Sequence, residues 1–131
     1  MAAEESYPDD LRYHPEHDWA RVDGDEALLG ITWFAQDALG ELVHFEAPST
    51  GANLAAGQSY GEVESVKAVS DVIAPLSGEV LEVNQAVVDA PETVNEDPYG
   101  DGWLVRIRIS HRSEVDELLD AEAYKQVLAE Q

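Results

Sequence analysis

The chain contains no cysteine, and only two of its residues are lysines, Lys67 and Lys125. Without cysteine the polypeptide has no disulfide framework and no thiolate to act as nucleophile or metal ligand. Any sulfur redox chemistry therefore needs an added group. Cations are scarce in general: seven Lys and Arg stand against 28 Asp and Glu, for a formal charge of −21. No basic stripe exists to neutralise phosphates, which argues against nucleic acid as a partner. Long apolar runs are also missing. The densest stretch, Leu28 to Ala35, falls far short of the ~20 residues a spanning helix needs, so no membrane association is expected. The opening MAAEESYPDD has neither a basic region nor an apolar run, and an ordinary secretory leader is not expected. The expected location is the cytoplasm.

What is present suits a folded body. Hydrophobic residues make up 44% of the 131, and 10 are aromatic, enough apolar material for an interior despite the charge. This length predicts one core, and a monomer is expected. The acids are spread along the whole chain, so the charge belongs to the folded surface and not to a tail. Such a surface repels itself unless salt screens it. Because the screening length falls to about 3 Å at 1 M salt, a salt-rich cytoplasm, that of a halophile, is the expected setting.

Residues 1–10 are polar and acidic and predict a flexible arm. Alternation through Trp19–Val22, a turn at Asp23-Gly24-Asp25 and the run Ala27–Ile31 predict a hairpin. Thr32 can cap a short helix over 33–39 that Gly40 ends, with Phe34, Ala38 and Leu39 inward. A strand over Leu42–Phe45 stops at Pro48-Ser49-Thr50-Gly51. From Tyr60 the chain alternates, Tyr60, Glu62 and Glu64 against Gly61, Val63 and Ser65, and then Val69, Asp71 and Ile73 against Ser70 and Val72. Pro75–Gly78 is a turn and Val80–Val83 a strand; Asp89–Gly102, with Pro91 and Pro98, reads as a loop that packs firmly or has a task. Trp103–Ile109 resumes a strand. Ser113 with Asp116 has the form of a capping box, and Asp120 can cap a last helix carrying Tyr124, Val127 and Leu128. The class is mainly β, a barrel or sandwich with short peripheral and C-terminal helices.

Between the strands Gly61–Ser65 and Val69–Ala74 stand only Val66, Lys67 and Ala68. So short a connection makes the strands antiparallel neighbours and sets Lys67 at a rigid, solvent-facing tip. It can be an edge-protecting surface lysine. A chain that uses arginine for most of its cations, however, keeps a lysine where it needs an amine, since guanidinium stays protonated and cannot be acylated in the same way. His14, Glu16, His17 and Asp18 are four possible metal ligands in five residues, but a Pro15-broken segment does not present them on one face, and structural roles are expected. No phosphate loop, nucleophile elbow or acid-base-nucleophile constellation is present, which argues against an enzyme.

The run Gly61-Glu62-Val63-Glu64-Ser65-Val66-Lys67-Ala68, with Ser70-Asp71 and Ala74-Pro75-Leu76-Ser77-Gly78-Glu79-Val80, resembles the lipoyl-lysine region of the glycine cleavage system H proteins. The likeness extends through His17-Asp18-Trp19, Gly30-Ile31-Thr32, Ala35-Gln36, Leu39-Gly40, Val83-Asn84, Pro91, Val94-Asn95, Asp97-Pro98-Tyr99 and Gly102-Trp103. It covers roughly residues 11–128, with motifs in family order and spacing. The resemblance implies a single lipoyl-carrier domain over 11–131 with the hammerhead, or barrel-sandwich hybrid, fold. It further implies lipoate in amide linkage on Lys67. By the same resemblance, glycine decarboxylase (pyridoxal phosphate) loads an aminomethyl group, an aminomethyltransferase passes the one-carbon unit to tetrahydrofolate, and dihydrolipoamide dehydrogenase (FAD) reoxidises the dithiol. Glu64 and Gly78 match positions that a lipoylating enzyme recognises. Asp71 matches an aspartate beside the loaded arm, where its carboxylate can pair with the cargo's ammonium. Asp18 stands where the family has glutamate and is one methylene shorter, so the arm docks slightly differently or contacts it through water. Biotinyl and 2-oxo-acid dehydrogenase lipoyl domains fit less well: Val66 and Ala68 flank the lysine where the former place methionine, and Val66 stands where the latter place Asp. An unmodified β-barrel interaction module remains the reading of another class.

Overall fold

The computed structural model describes residues 3–131, so Met1 and Ala2, part of the expected arm, lie outside the described residues. Strands β1 (Arg12–His14), β2 (Asp18–Asp23) and β3 (Glu26–Ile31) form an antiparallel meander, with Trp19 opposite Gly30 and Arg21 opposite Leu28. Helix α1 (Trp33–Leu39) follows, and then β4 (Leu42–Glu46), the two-residue β5 (Asn53–Leu54), β6 (Ser59–Ser65), β7 (Val69–Ile73) and β8 (Gly78–Val83). Two short helices, α2 (Gln85–Asp89) and α3 (Thr93–Glu96), precede β9 (Val105–Ile109), and α4 (Ala121–Ala129) closes the chain. The strands form a six-stranded sheet in the order β1-β2-β3-β9-β8-β5 and a three-stranded sheet in the order β4-β6-β7. The mainly β class read from the alternation is the observed one.

Between the sheets lies one apolar core that includes Leu29, Phe45, Val63, Val72, Leu76 and Ile107. A second cluster, Leu11, Tyr13, Trp19, Tyr99 and Tyr124 with Ala121, fixes α4 to β1 and β2. Tyr13 and Tyr124 stack there with centroids 4.7 Å apart. Each such fully buried large side chain contributes roughly 1.5–3 kcal/mol of transfer free energy. The Trp19 indole N–H is shared between the carbonyls of Ile31 at 3.0 Å and Pro98 at 3.1 Å, which ties the 89–102 segment to the first hairpin.

Local details depart from the sequence reading where tertiary contacts compete. In α1, capped by Thr32 as expected, Ala38 is exposed and Gln36 is buried instead, because the Gln36 amide bonds the Trp33 carbonyl and the Asn95 side chain. Tyr60 does not share the exposed face of Glu62 and Glu64. The β6–β7 register shifts between Ser59 and Gly61, and this bulge turns Tyr60 into the core. The 89–102 stretch is more than a loop, since it contains α3 with Val94 buried on its inner side, and just before it the Asn84 side chain caps α2, whose Val87 is buried. The expected capping box at Ser113 does not form. Residues Arg112–Glu117 make a 3-10 turn with Ser113 exposed, because Leu119 exchanges backbone bonds with Tyr13 and the Glu114 carboxylate takes the N–H and hydroxyl of Ser77. Within the N-terminal segment, Trp33 Nε1 donates to the Ala3 carbonyl at 2.8 Å and the Tyr99 hydroxyl to that of Ser6 at 2.7 Å. Tyr7 joins the second cluster. These contacts lay residues 3–8 along the body.

Candidate functional site

The β6–β7 hairpin carries Lys67. Its three-residue tip is set by Ser65, which is buried at the end of β6. The Ser65 hydroxyl accepts the N–H groups of Lys67 at 3.3 Å and Ala68 at 3.2 Å, while the Ser65 N–H bonds the Ala68 carbonyl at 2.8 Å. Such local bonds hold the turn without help from its outward side chains. Val66, Lys67 and Ala68 are exposed, Val66 by 85%. The Lys67 stem runs back toward the end of α1, where its Cε lies 3.6 Å from the place a Cβ on Gly40 would take. Gly40 adopts φ 86°, the left-handed region open to glycine, and so turns the chain sharply under the lysine.

Next to Gly40, Leu39 forms one wall of a cleft of about 180 Å³. Phe34, Ala38 and Val63 add apolar surface, and Asp18, Ser70 and Asp71 add polar groups. Asp18 and Asp71, read separately from the sequence, are thus brought together from the two sheets. Asp71 is exposed on the edge strand β7, and its Oδ1 accepts from the Ser59 hydroxyl at 3.3 Å. Asp18 is only 2% exposed, and its Oδ1 accepts the Ile73 N–H at 3.2 Å. Burial pushes the Asp18 carboxyl well above the usual carboxylate range; the Ile73 bond opposes that shift and the Glu16 charge adds to it. A carboxyl so placed ionises readily only when a cation joins it.

His17, also on the cleft, has φ 77°, the only positive φ at a non-glycine residue among those described. Its ring lies against Phe34 at 4.6 Å, and its Nδ1 is 2.8 Å from the Tyr124 hydroxyl, which in turn is 2.8 Å from Thr32 Oγ1. Burial lowers the His17 pKa and favours the neutral ring. His14 Nδ1 accepts the Glu16 N–H at 3.1 Å. These histidines are used within the fold, and among the described residues no group of three or more His, Cys, Asp or Glu is arranged to hold a metal.

The other two sequence candidates lie apart from the cleft lining. Glu64 is exposed on the outer face of the three-stranded sheet, between His44 on β4 and Val69 on β7. Gly78 is buried in β8, where an added Cβ would strike the Arg108 carbonyl oxygen and lie 2.9 Å from Ile107 Cδ1. Close approach of β8 to β9 is therefore sufficient physical reason for glycine there. Sequence reading alone missed the roles of Ser65, Asn95 and Tyr60. Asn95 holds the chain beneath Lys67: its Oδ1 accepts the Leu42 N–H, and its Nδ2 donates to the Gln36 side chain and the Gly40 carbonyl, each at 2.9 Å. Nothing local marks these residues, because their partners are distant in sequence.

An exposed amine on a stiff hairpin, near a cleft with an apolar wall and a buried carboxyl, suits a protein that carries a group on its lysine. The family described as Glycine cleavage H-protein matches residues 11–131, and the chain belongs to that family, whose members are carriers and not catalysts. Among its relatives, the glycine cleavage system H protein of Carboxydothermus hydrogenoformans is 52% identical over 95% of both chains. The probable glycine cleavage system H protein of Haloarcula marismortui is 54% identical over 90% of this chain and 93% of its own. The crystal structure of a glycine cleavage system H protein from Mycobacterium marinum superposes with a TM-score of 0.86 at 44% identity, covering 93% of this chain and 98% of that one.

Proposed function

We propose that Lys67 carries lipoate in amide linkage and that the chain shuttles the aminomethyl group of glycine between the enzymes of the glycine cleavage system. The observation that carries this reading is Lys67 itself, an exposed amine on a braced hairpin whose stem passes over Gly40, the chain neighbour of Leu39 on the wall of the Asp18 cleft, in a chain of the H-protein family. Lipoate would supply the reversible disulfide that a cysteine-free polypeptide lacks and accept the aminomethyl cargo on sulfur. The residues present suit that group. Leu39, Phe34 and Val63 offer an apolar wall to a hydrocarbon arm, and Asp18 and Asp71 offer acceptors to a protonated amine. Holding the amine there excludes water from it and delays hydrolysis. Glu64 lies on the same hairpin as Lys67 and is available to a lipoylating enzyme, while Gly78 acts through the close β8–β9 packing that shapes the scaffold.

The partners of this reading are glycine decarboxylase, the aminomethyltransferase and dihydrolipoamide dehydrogenase. Its setting is a salt-rich cytoplasm, supported by the charge of −21 and by Glu46, Glu62 and Asp71 standing directly across from one another on three adjacent strands. Intact mass of the protein from cells with an active lipoylation pathway tests it. A lipoyl adduct that maps to Lys67 and disappears in Lys67→Arg is expected, along with complete loss of protein-dependent glycine decarboxylation. An unmodified mass, or full activity in the variant, refutes the carrier role.

A further inference from the structure

The Tyr60 hydroxyl is the one buried side-chain polar atom among the described residues without a hydrogen-bond partner. Burying a hydroxyl unpaired is costly, and in a native fold such a group calls for an explanation. Its position supplies one. Tyr60 is the extra residue of the β6 bulge, and the register around it pairs Ser59 with Ile73 and Gly61 with Val72. The same Ile73 gives its N–H to Asp18 across the gap between the sheets. The bulge turns the phenol into the core beside the edge strand β7, whose outward Ile73 N–H serves Asp18. Burial holds the Tyr60 phenol well above its ordinary range, and the Asp18 charge adds to that shift. Asp18 itself has one hydrogen bond from the described residues, too few for a buried carboxylate.

We infer that Tyr60 is a positioning residue for Asp18: its hydroxyl donates to the Asp18 carboxylate, directly or through one buried water, whenever that carboxyl is ionised, as it is once a cationic group occupies the cleft. With the cleft empty, burial favours the protonated Asp18 carboxyl, which gives the phenol no anion to serve. Arrival of an ammonium group releases the Asp18 proton to solvent, and the resulting carboxylate then has three kinds of donor, the Ile73 N–H, the Tyr60 hydroxyl and the cargo. The unpaired hydroxyl is therefore a donor arranged in advance for the loaded state. Charged and titratable groups facing Asp18 come from several elements, namely Glu16 and His17 on its own segment, Tyr60 on β6, Asp71 on β7 and Tyr124 on α4. Among them Tyr60 is the fully buried donor with a free proton. The role of the cargo rests on the proposed docking of the loaded arm; the hydrogen bond itself does not.

Tyr60→Phe removes the hydroxyl and keeps the ring. Side-chain carboxyl NMR titration of the unlipoylated protein should show Asp18 titrating at higher pH in the variant than in the wild type, because a donor that favours the carboxylate is gone. Tm should stay the same or rise, since an unpaired polar atom has left the core. In the lipoylated, loaded protein, release of the cargo amine should be about tenfold faster, the loss expected for one hydrogen bond to a charged group. A Tyr60 that only fills space leaves the Asp18 titration unmoved, and coincident titrations overturn the inference. Asp18→Asn separates this from the docking reading. If Tyr60→Phe moves the Asp18 titration while Asp18→Asn leaves cargo release at the wild-type rate, the hydrogen bond stands and the docking of the arm at Asp18 falls.

Discussion

Replacing Asn95 by alanine tests whether the floor under Lys67 is held as the geometry indicates. Three hydrogen bonds at 2.9 Å are lost, to the Leu42 N–H, the Gln36 side chain and the Gly40 carbonyl. Leu42 is buried, so its N–H cannot turn to water without local opening. At ~1 kcal/mol net for each bond, the loss is about 3 kcal/mol, a large part of the ~5–15 kcal/mol that holds an ordinary domain together. With an unfolding entropy of roughly 2.1 cal/mol/K per residue across 131 residues, the same loss lowers Tm by about 10 °C. Thermal unfolding followed by far-ultraviolet circular dichroism at fixed salt measures it, with the exposed helical Gln126→Ala as a control that should barely move. Hydrogen exchange adds a local check: the Leu42 amide should exchange much faster in the folded variant. A Tm drop below about 3 °C, or unchanged Leu42 protection, would show that Asn95 does not brace this turn.

Three further outcomes are expected. Lys67→Arg keeps an exposed cation and should leave Tm within experimental error, while no lipoyl adduct forms in a lipoylation assay; an adduct at another site of equal yield would contradict the geometry. Asp18→Asn removes a buried acid whose folded-state pKa is raised above its unfolded value. In the wild type the folded protein holds that proton longer than the unfolded chain, so stability falls as pH rises from the ordinary carboxylate range through the raised folded midpoint. The Asn variant lacks this loss, and its advantage in denaturant titrations should grow with pH over that window and vanish in acid; a constant difference would sink the assignment. Glu62 stands directly between Glu46 and Asp71, so Glu62→Gln should raise Tm in dilute buffer, with the gain fading toward ~1 M salt as screening tightens. The wild type should likewise gain stability with salt, and a flat or falling Tm speaks against a salt-adapted surface.

The elements that were legible in the sequence are those whose causes are local. Asp23-Gly24-Asp25 between alternating runs specified the first hairpin, Thr32 and Gly40 bounded α1, and Asp120 capped α4. In each case the deciding bond spans a few residues, so propensity and pattern carry the information. The short helices α2 and α3 were hidden by Pro91 and Pro98, whose presence reads as loop although Pro91 stands between the helices and Pro98 beyond the second. Ser113 misled for the opposite reason. A sound local signal gave way to the Tyr13–Leu119 bridge and the Glu114–Ser77 bonds.

By itself the sequence determined that the protein is a mainly β body without thiol chemistry, with one amine raised on a hairpin between two strands. Periodicity, turn residues and composition act along the chain and need no fold to be read. Only the tertiary structure decided what that amine stands beside. Asp18 and Asp71 come from different sheets, Gly40 is turned under Lys67 by an asparagine from α3, and a one-residue bulge sends Tyr60 inward against the alternation of its neighbours. The cleft depends on the packing of two sheets and on a register shift. Neither leaves a periodic mark on the residues that form it.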